Sequence, residues 1–208
     1  MHVHVLPLGP IEANCVILWD DPKKAWIVDP GADAETVKDF LNSNELQPSI
    51  VIATHGHFDH IGAIPELLKM YEGLKFHIGE GDEQMLGHPD NAWPPYYPQI
   101  EKPANVMADL TDSQVISEGG LSATIIATPG HTPGGVCLFF KDEDLLITGD
   151  TLFAGSCGRT DFPGGSMPTL MASLARLATL PPETRVISGH GPETSIAQEL
   201  VVNPYLQV

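Results

Sequence analysis

The chain has 208 residues, of which 42% are hydrophobic and 18% charged, and this composition fits one globular domain and excludes a disordered chain. Its formal net charge of −17, with only ten scattered Lys and Arg, disfavours a nucleic-acid partner. Because no apolar run is long enough for a membrane span, the N-terminus does not resemble a signal peptide and the three cysteines are far apart, we expect a cytoplasmic protein without a membrane partner.

The first part of the chain alternates between strands and helices. Apolar runs and period-two patterns predict strands at 2–6, 15–19, 25–28, 50–53 and 74–78, and helical spacing predicts helices over 34–42 and from 61 to 71. Asp29 or Asp33 is placed to cap the first helix. Asp29 ends a strand, so it is interpreted either as a turn residue or as an acceptor that orients a metal-binding loop.

Residues 79–113 do not show the regular apolar patterns of the preceding residues. Three prolines in the stretch 91–98 exclude a regular helix or a central strand there. Loops of this length in compact domains are usually functional or mobile. We interpret the aromatic residues of 91–98 as the wall of a substrate cleft, and the alternatives are self-packing of the loop and an interface between subunits.

The second part of the chain predicts another group of strands followed by helices. The strands are expected at 114–116, 121–127, 136–140, 145–148 and 185–188, and the helices at about 167–180 and 192–202. Two halves of this kind predict an α/β (α+β) fold, a four-layer αββα sandwich, rather than a doubly wound parallel sheet.

The stretch 54–60, Thr-His-Gly-His-Phe-Asp-His, carries four side chains of the types that bind transition metals. They are His55, His57, Asp59 and His60. Grouping so many solvated side chains is costly unless something coordinates them. We therefore interpret this stretch as half of a metal site.

Three later strands end in a glycine followed by a residue of the ligand type. These residues are His131, Asp150 and His190. Glycine at such positions allows the backbone to turn sharply and present one side chain. Five His and two Asp are enough for two metal ions and suit zinc or iron, and manganese less well. Two metal ions in one site indicate hydrolysis.

These motifs, in this order, resemble the metallo-β-lactamase fold superfamily over nearly the whole chain. The stretches 149–153 and 155–162 more narrowly resemble hydroxyacylglutathione hydrolases, the glyoxalase II group. The resemblance implies a metallo-β-lactamase fold for one hydrolase domain over 1–208. The separate C-terminal helical domain that helps full-length members to bind glutathione is not expected here.

The resemblance also implies a role for each ligand. Two divalent metal ions are expected, with zinc first and iron or manganese as alternatives. Their ligands divide into three groups: His55, His57 and His131 on one ion, Asp59, His60 and His190 on the other, and Asp150 bridging both. A hydroxide between the ions would attack a thioester carbonyl, and the catalytic role given to Asp59 is to receive its proton.

Arg159 takes the position of a basic residue that contacts the glutathione portion of the substrate in the family. It could bind a carboxylate bidentately, and a salt bridge to Asp161 is the alternative. Asp161 stands where the family has a tyrosine. The expected partner is a small-molecule thioester such as S-lactoylglutathione, and the oligomeric state is left open.

A second function remains open because the stretch 157–162 also resembles iron persulfide dioxygenases. Those proteins use a single iron ion. Carried over to this chain, the iron ligands would be His55, His131 and Asp150. The complete set of seven ligands favours the hydrolase.

Overall fold

The computed structural model describes residues 1–21 and 23–207. The strands are β1 (His2–Leu8), β2 (Ala13–Asp20), β3 (Lys24–Val28), β4 (Gln47–Ile52), β5 (Lys75–Gly79), β6 (Val106–Leu110), β7 (Val115–Glu118), β8 (Leu121–Ala127), β9 (Val136–Phe140), β10 (Leu145–Gly149), β11 (Leu152–Phe153), β12 (Ser156–Cys157), β13 (Arg185–Ser188) and β14 (Thr194–Ser195). The α-helices are α1 (Ala34–Ser43), α2 (Phe58–Ile61), α3 (Ile64–Met70), α4 (Met167–Leu177) and α5 (Ile196–Val202). None of the helices in the described ranges is long and apolar enough to cross a membrane.

Two six-stranded sheets form the centre of the molecule. Their strand orders are β1-β2-β3-β4-β5-β6 and β14-β13-β10-β9-β8-β7. The first sheet is antiparallel from β1 to β3 and parallel from β3 to β6. The second is antiparallel except for the parallel pair β10 and β13. Strands β11 and β12 form a separate hairpin.

Strand β2 shows why the sheets are covered on both faces. Cys15 and Ile17 pack in a cluster with α1 and α3, whereas Val16 and Leu18 pack in a cluster with residues of the second sheet. A third cluster joins the second sheet to α4 and α5. Because successive strand residues point to opposite faces, an apolar run with both faces buried is the expected sequence of an inner strand. The predicted four-layer αββα sandwich is confirmed.

The helix predicted from 61 to 71 is α3, Ile64–Met70, and a break at residues 62–63 separates it from the short α2. Gly62 lies against the chain at Gly31, since a Cβ on Gly62 would be 2.2 Å from the Gly31 carbonyl oxygen. The next amide, of Ala63, donates a 3.0 Å hydrogen bond to the Pro30 carbonyl. Pro65 lies in the first turn of α3, where a missing N–H costs nothing. The break therefore brings the residues that follow Asp59 into contact with the end of β3.

The segment 79–113 is more regular than its sequence indicates. A 3₁₀ helix covers Glu80–Met85, and β6 pairs parallel with β5 at the edge of the first sheet. An edge strand with one face partly exposed has no strong apolar pattern, which is why β6 is not evident in the sequence. The helix predicted over 192–202 likewise begins later, at Ile196, after β14.

Candidate metal centre

The seven predicted ligands lie just beyond the carboxyl ends of four strands. The loop 54–60 follows β4, His131 follows β8, Asp150 follows β10 and His190 follows β13. The two sheets face each other, so these four loops meet at one end of the sandwich. All seven predicted ligand residues are brought together there.

Three histidines form a first group. The ligand atoms of His55, His57 and His131 all lie within 4.8 Å of one another. Nδ1 of His57 is 2.9 Å from Nε2 of His131. All three rings are buried, so each nitrogen lacks ready access to water. This is the spacing expected of three nitrogens that share one cation.

A second group consists of Asp59, His60 and His190, whose ligand atoms also lie within 4.8 Å of one another. Nε2 of His190 is 3.2 Å from Oδ2 of Asp59, and Nε2 of His60 is 3.5 Å from the same oxygen. Two nitrogens and one carboxylate therefore face a common point. The division of the loop 54–60 between two groups agrees with the division that the resemblance implies.

Asp150 lies between the two groups. Its Oδ1 is 3.4 Å from Nε2 of His60, and its Oδ2 is 3.6 Å from Nε2 of His131. Oδ2 also lies 3.8 Å from Nε2 of His190, so the carboxylate faces ligand atoms of both groups. Gly189 allows this arrangement because a Cβ there would be 2.2 Å from Oδ1 of Asp150.

Hydrogen bonds behind the rings fix which nitrogen faces the centre. Nδ1 of His131 donates to the backbone carbonyl of Arg159 at 2.6 Å, which leaves the lone pair on Nε2. Oγ1 of Thr54 gives its proton to Asp29 at 2.6 Å, so it can only accept from Nδ1 of His55 at 3.1 Å. The lone pair of His55 is therefore also on Nε2.

Asp29 performs the same task for His60. Its carboxylate accepts hydrogen bonds from the Thr54 amide at 2.7 Å, the Thr54 hydroxyl at 2.6 Å and Nδ1 of His60 at 3.0 Å. Although Asp29 lies within 4.8 Å of His55 and His60, three donors already occupy its oxygens. We conclude that Asp29 orients ligands from behind. It does not cap α1. Asp33 occupies the N-cap position of that helix, as one of the two predicted alternatives, but its carboxylate accepts from the Gly9 amide and not from an amide of α1.

The two groups differ in their electrostatics. Burial lowers the pKa of His57 to about 3, and His131 beside it adds to the effect. Burial also disfavours protonation of His60, but the carboxylates of Asp59, Asp150 and Asp29 outweigh it and raise its pKa to about 10. Burial opposes ionisation of Asp59 in turn, yet His60 and His190 hold its pKa at about 2. Burial therefore keeps His55 and His57 of the first group neutral, whereas the second group is rich in charge.

Unpaired buried atoms test whether these residues fit metal ions. Nε2 of His55, Nε2 of His60 and Oδ1 of Asp150 are buried without a hydrogen-bond partner. Leaving a buried polar atom unpaired costs about 1–3 kcal/mol, and three in one place indicate a missing partner. Metal ions bound to the two groups would satisfy all three, whereas a hydrogen-bonding side chain would satisfy one. The set of nitrogens and carboxylates fits divalent ions of the zinc or iron type.

Two residues that hold the centre together were not predicted from the sequence. The buried carboxylate of Asp82 accepts from the Gly56 amide at 2.9 Å and the Gly134 amide at 2.6 Å, and so ties the loop of His55 to that of His131. The Asn91 amide group donates to the Gly56 carbonyl at 2.7 Å and accepts from the Phe58 amide at 3.1 Å. Asp82 follows a glycine beyond the end of β5, and this same pattern could have drawn attention to it.

A cleft of about 780 Å³ opens beside His57. Arg159 lines it, and its Nε and Nη2 each lie 2.7 Å from an oxygen of Asp161. The structure thus contains the salt bridge that was the alternative for Arg159, and a contact between Arg159 and substrate stays a prediction. Of the aromatic residues of 91–98, Trp93 lines the cleft, whereas Tyr97 is buried. The interpretation of that loop as a cleft wall is supported for Trp93.

The chain has two facing sheets covered by helices. A cluster of His and Asp side chains lies where four strands end. This arrangement is that of an αββα metal-binding protein. The chain belongs to the metallo-beta-lactamase superfamily, whose family model matches residues 8–190. The resemblance expected from the motifs is confirmed.

Relatives over the full length include named hydrolases. The probable metallo-hydrolase YqgX of Bacillus subtilis is 36% identical over 97% of this chain and 95% of its own. The hydroxyacylglutathione hydrolase GloC of Haemophilus influenzae is 33% identical over 99% of this chain and 98% of its own. They support the prediction of a metal-dependent hydrolase.

Solved structures share the same fold. BLEG-1, described as a B3 metallo-beta-lactamase, superposes with a TM-score of 0.92 at 36% identity and covers 100% of both chains. TTHA1623 in a di-iron-bound form has a TM-score of 0.86 at 32% identity and covers 98% of this chain and 100% of its own. The second structure keeps iron beside zinc as a candidate metal.

Proposed function

We propose that this protein is a dinuclear metal-dependent thioester hydrolase of the hydroxyacylglutathione hydrolase type. The observation that carries the proposal is the position of Asp150 between two complete ligand groups, with its carboxylate facing ligand atoms of both. Divalent ions held by these groups supply Lewis-acid activation of a carbonyl group and of a water molecule. The narrower assignment to thioesters is supported by the motifs around Arg159 and by the similarity to GloC.

The residues of the chain prepare the centre for this chemistry. The groups behind the rings hold Nε2 of His55, His60 and His131 toward the centre before any ligand binds. Such preorganisation reduces the reorganisation that the reaction requires. Asp59 is ionised at neutral pH because its pKa is about 2, so its ligand role is better supported than its role as a proton acceptor.

The test begins with the purified chain loaded separately with zinc, iron(II) or manganese. Metal content and hydrolysis of S-lactoylglutathione are measured on the same samples, and Asp150→Ala is the negative control. We expect about two metal ions per chain and thioester cleavage that depends on both. The exposed His2 provides the matched control, since His2→Ala removes a histidine outside the centre.

Three other results would each contradict the proposal. Oxygen uptake on glutathione persulfide with one iron ion per chain would indicate the dioxygenase alternative. Opening of a cephalosporin ring without thioester cleavage would indicate a β-lactamase, the activity in the name of BLEG-1. Full metal loading without any of these reactions would refute the thioester assignment, and only the assignment of a metal site would remain.

A further inference from the structure

The cleft beside His57 is built from two separate segments. One runs from the 3₁₀ helix into the loop 91–98, and the other follows β12, and His57, Phe58 and Pro133 complete the lining. Its lining is mostly apolar, and the apolar side chains that the argument uses are Phe58, Met85, Trp93 and Phe162. Pockets that bind small molecules are typically apolar with a few polar groups, and this cleft adjoins a ligand of the first group.

Trp93 is held in place from behind. Its ring stacks on Tyr97 with 6.4 Å between centroids and 11° between planes, and Tyr97 in turn packs on Phe58 at 5.0 Å. A tight turn supports the stack, because the Trp93 amide donates to the Tyr97 carbonyl at 2.7 Å. Tyr97 is 2% exposed, but Trp93 is 45% exposed. The indole thus packs on the buried Tyr97 ring, and nearly half of the Trp93 surface is left uncovered.

Phe162 provides a second aromatic surface in the same cleft. Its ring makes an edge contact with His57 at 5.5 Å, and the Arg159 guanidinium lies 3.9 Å above the ring centroid. Phe162 is 38% exposed. Exposed aromatic groups gathered in a concave site indicate a surface that binds an apolar group.

The guanidinium of Arg159, which lines the cleft, already has a partner. The fork of Arg159 is engaged by Asp161, and His88 lies 3.9 Å from Asp90. A charged ligand would have to compete with these carboxylates. An apolar ligand would not, because it gains affinity by covering Trp93 and Phe162.

Resting on the proposed function, we infer that the cleft binds an apolar substituent of the thioester, and that Trp93 and Phe162 determine this specificity. The preferred substrates are thioesters with an aromatic or extended aliphatic group. Short polar acyl groups such as lactoyl leave both rings uncovered and are the poorer members of the class.

The test compares two substrates that differ in one group. S-mandeloylglutathione carries a phenyl group where S-lactoylglutathione carries a methyl group. In the metal-loaded enzyme we expect kcat/KM to be about tenfold higher for the mandeloyl thioester, because its phenyl group would contact the apolar surface of the cleft. Trp93→Ala should reduce that ratio to near one, and Phe162→Leu should reduce it in part. Val115→Ala is the control, since Val115 is an exposed apolar residue of β7 that does not line the cleft.

Outcomes for the two proposals differ. An equal kcat/KM for both thioesters, or a ratio that Trp93→Ala leaves unchanged, overturns the apolar site and leaves thioester hydrolysis in place. If neither thioester is cleaved, the proposed function fails. Calorimetric binding then still decides the inference, because S-hexylglutathione should bind about tenfold more tightly than S-methylglutathione to the wild type and equally to Trp93→Ala. Equal binding to the wild type would refute it.

Discussion

Nδ1 of His60 donates a 3.0 Å hydrogen bond to Oδ2 of Asp29, although 31 residues separate them in the chain. This bond keeps the proton on Nδ1 and directs Nε2 to Asp59 and Asp150 at 3.5 and 3.4 Å, so Nε2 is the nitrogen that would give up its proton to a metal ion. Asp29 therefore sets the tautomer of a ring that belongs to the second ligand group. Such partners of metal-binding histidines raise the basicity of the ring and fix its direction.

Asp29→Asn should weaken metal binding at the second group by about 10–100-fold. An amide nitrogen placed at Oδ2 would point its protons at Nδ1 of His60 and force the ring into the other tautomer. Metal titration of the second equivalent measures the effect. Asp33→Asn is the control, because its carboxylate accepts only from the Gly9 amide, away from the centre. Equal affinities in the two variants would show that Asp29 does not orient the ring.

The candidate ligands could be identified from the sequence because each lies in a short local motif. His131, Asp150 and His190 each follow a strand and a glycine, and a short motif of this kind needs no knowledge of the fold. Asp82 also follows a strand and a glycine, but this pattern does not show what Asp82 contacts, and Asn91 lies in no such pattern. Their contacts to Gly56 join residues 26 and 35 positions apart, and only the packing of the 3₁₀ helix against the metal loop creates them.

The errors in the predicted strands and helices also arise where tertiary packing, rather than a local pattern, decides the structure. The inner strands are buried on both faces and are evident as apolar runs, whereas β6 is an edge strand whose partly exposed residues form no clear pattern. The helix from 61 to 71 has helical periodicity throughout. Its break depends on the approach of Gly62 to Gly31, a contact that periodicity does not report.

Substitution of one ligand in either group should remove the metal ion of that group alone. His131→Ala removes a nitrogen from the first group and His190→Ala one from the second, so each variant should retain about one metal ion per chain with most activity lost. His2→Ala should retain both ions, since His2 stacks on Trp19 and belongs to neither ligand group. Elemental analysis after gel filtration gives the count. Full metal content and normal turnover in His190→Ala would remove it from the ligand set.

Gly189→Ala should disturb the centre without touching a ligand. The added Cβ would lie 2.2 Å from Oδ1 of Asp150 and 2.7 Å from Cε1 of His60, so the carboxylate between the two groups has to move. We expect a folded protein with reduced metal content. Gly155→Ala is the control, because a Cβ there meets nothing within 4 Å and costs only about 1 kcal/mol of backbone strain. Equal metal content in both variants would contradict this role for Gly189.

The salt bridge between Arg176 of α4 and Asp112 should make stability depend on pH. Hydrogen bonding to the guanidinium lowers the pKa of Asp112, so its contribution is present above the ordinary pKa of aspartate and is lost as pH falls through the lower folded value. Both side chains are more than 40% exposed, so Arg176→Met should cost only about 0.5–1 kcal/mol near neutral pH.

Urea unfolding, with a chelator in every sample, measures the contribution of this salt bridge to the free energy of unfolding. The difference between wild type and Arg176→Met should shrink well below about pH 4, where aspartate is protonated in the unfolded chain. Adding Asp112→Asn completes a double-mutant cycle that isolates the pair. A difference that stays constant down to acidic pH would assign the effect to lost packing of the Arg176 side chain.

Arg159 and Asp161 give opposite expectations if the guanidinium binds substrate. The backbone carbonyl of Arg159 holds His131, so a change of its side chain leaves that contact intact. Arg159→Ala should raise KM for an anionic thioester by about 10–100-fold with little change in kcat, because a charge-assisted contact is worth about 1.5–3 kcal/mol. Asp161→Asn should lower KM, since it releases the fork that Asp161 now occupies.

Steady-state kinetics on S-lactoylglutathione measures both changes. Arg185→Ala is the matched control, because Arg185 forms a similar two-contact pair with Glu193 and does not line the cleft. If Arg159→Ala and Asp161→Asn both leave KM unchanged, the pair is structural and serves to hold the guanidinium over Phe162. A rise of KM in both variants would instead mean that substrate binds to the intact pair, with Asp161 orienting the guanidinium rather than competing for it.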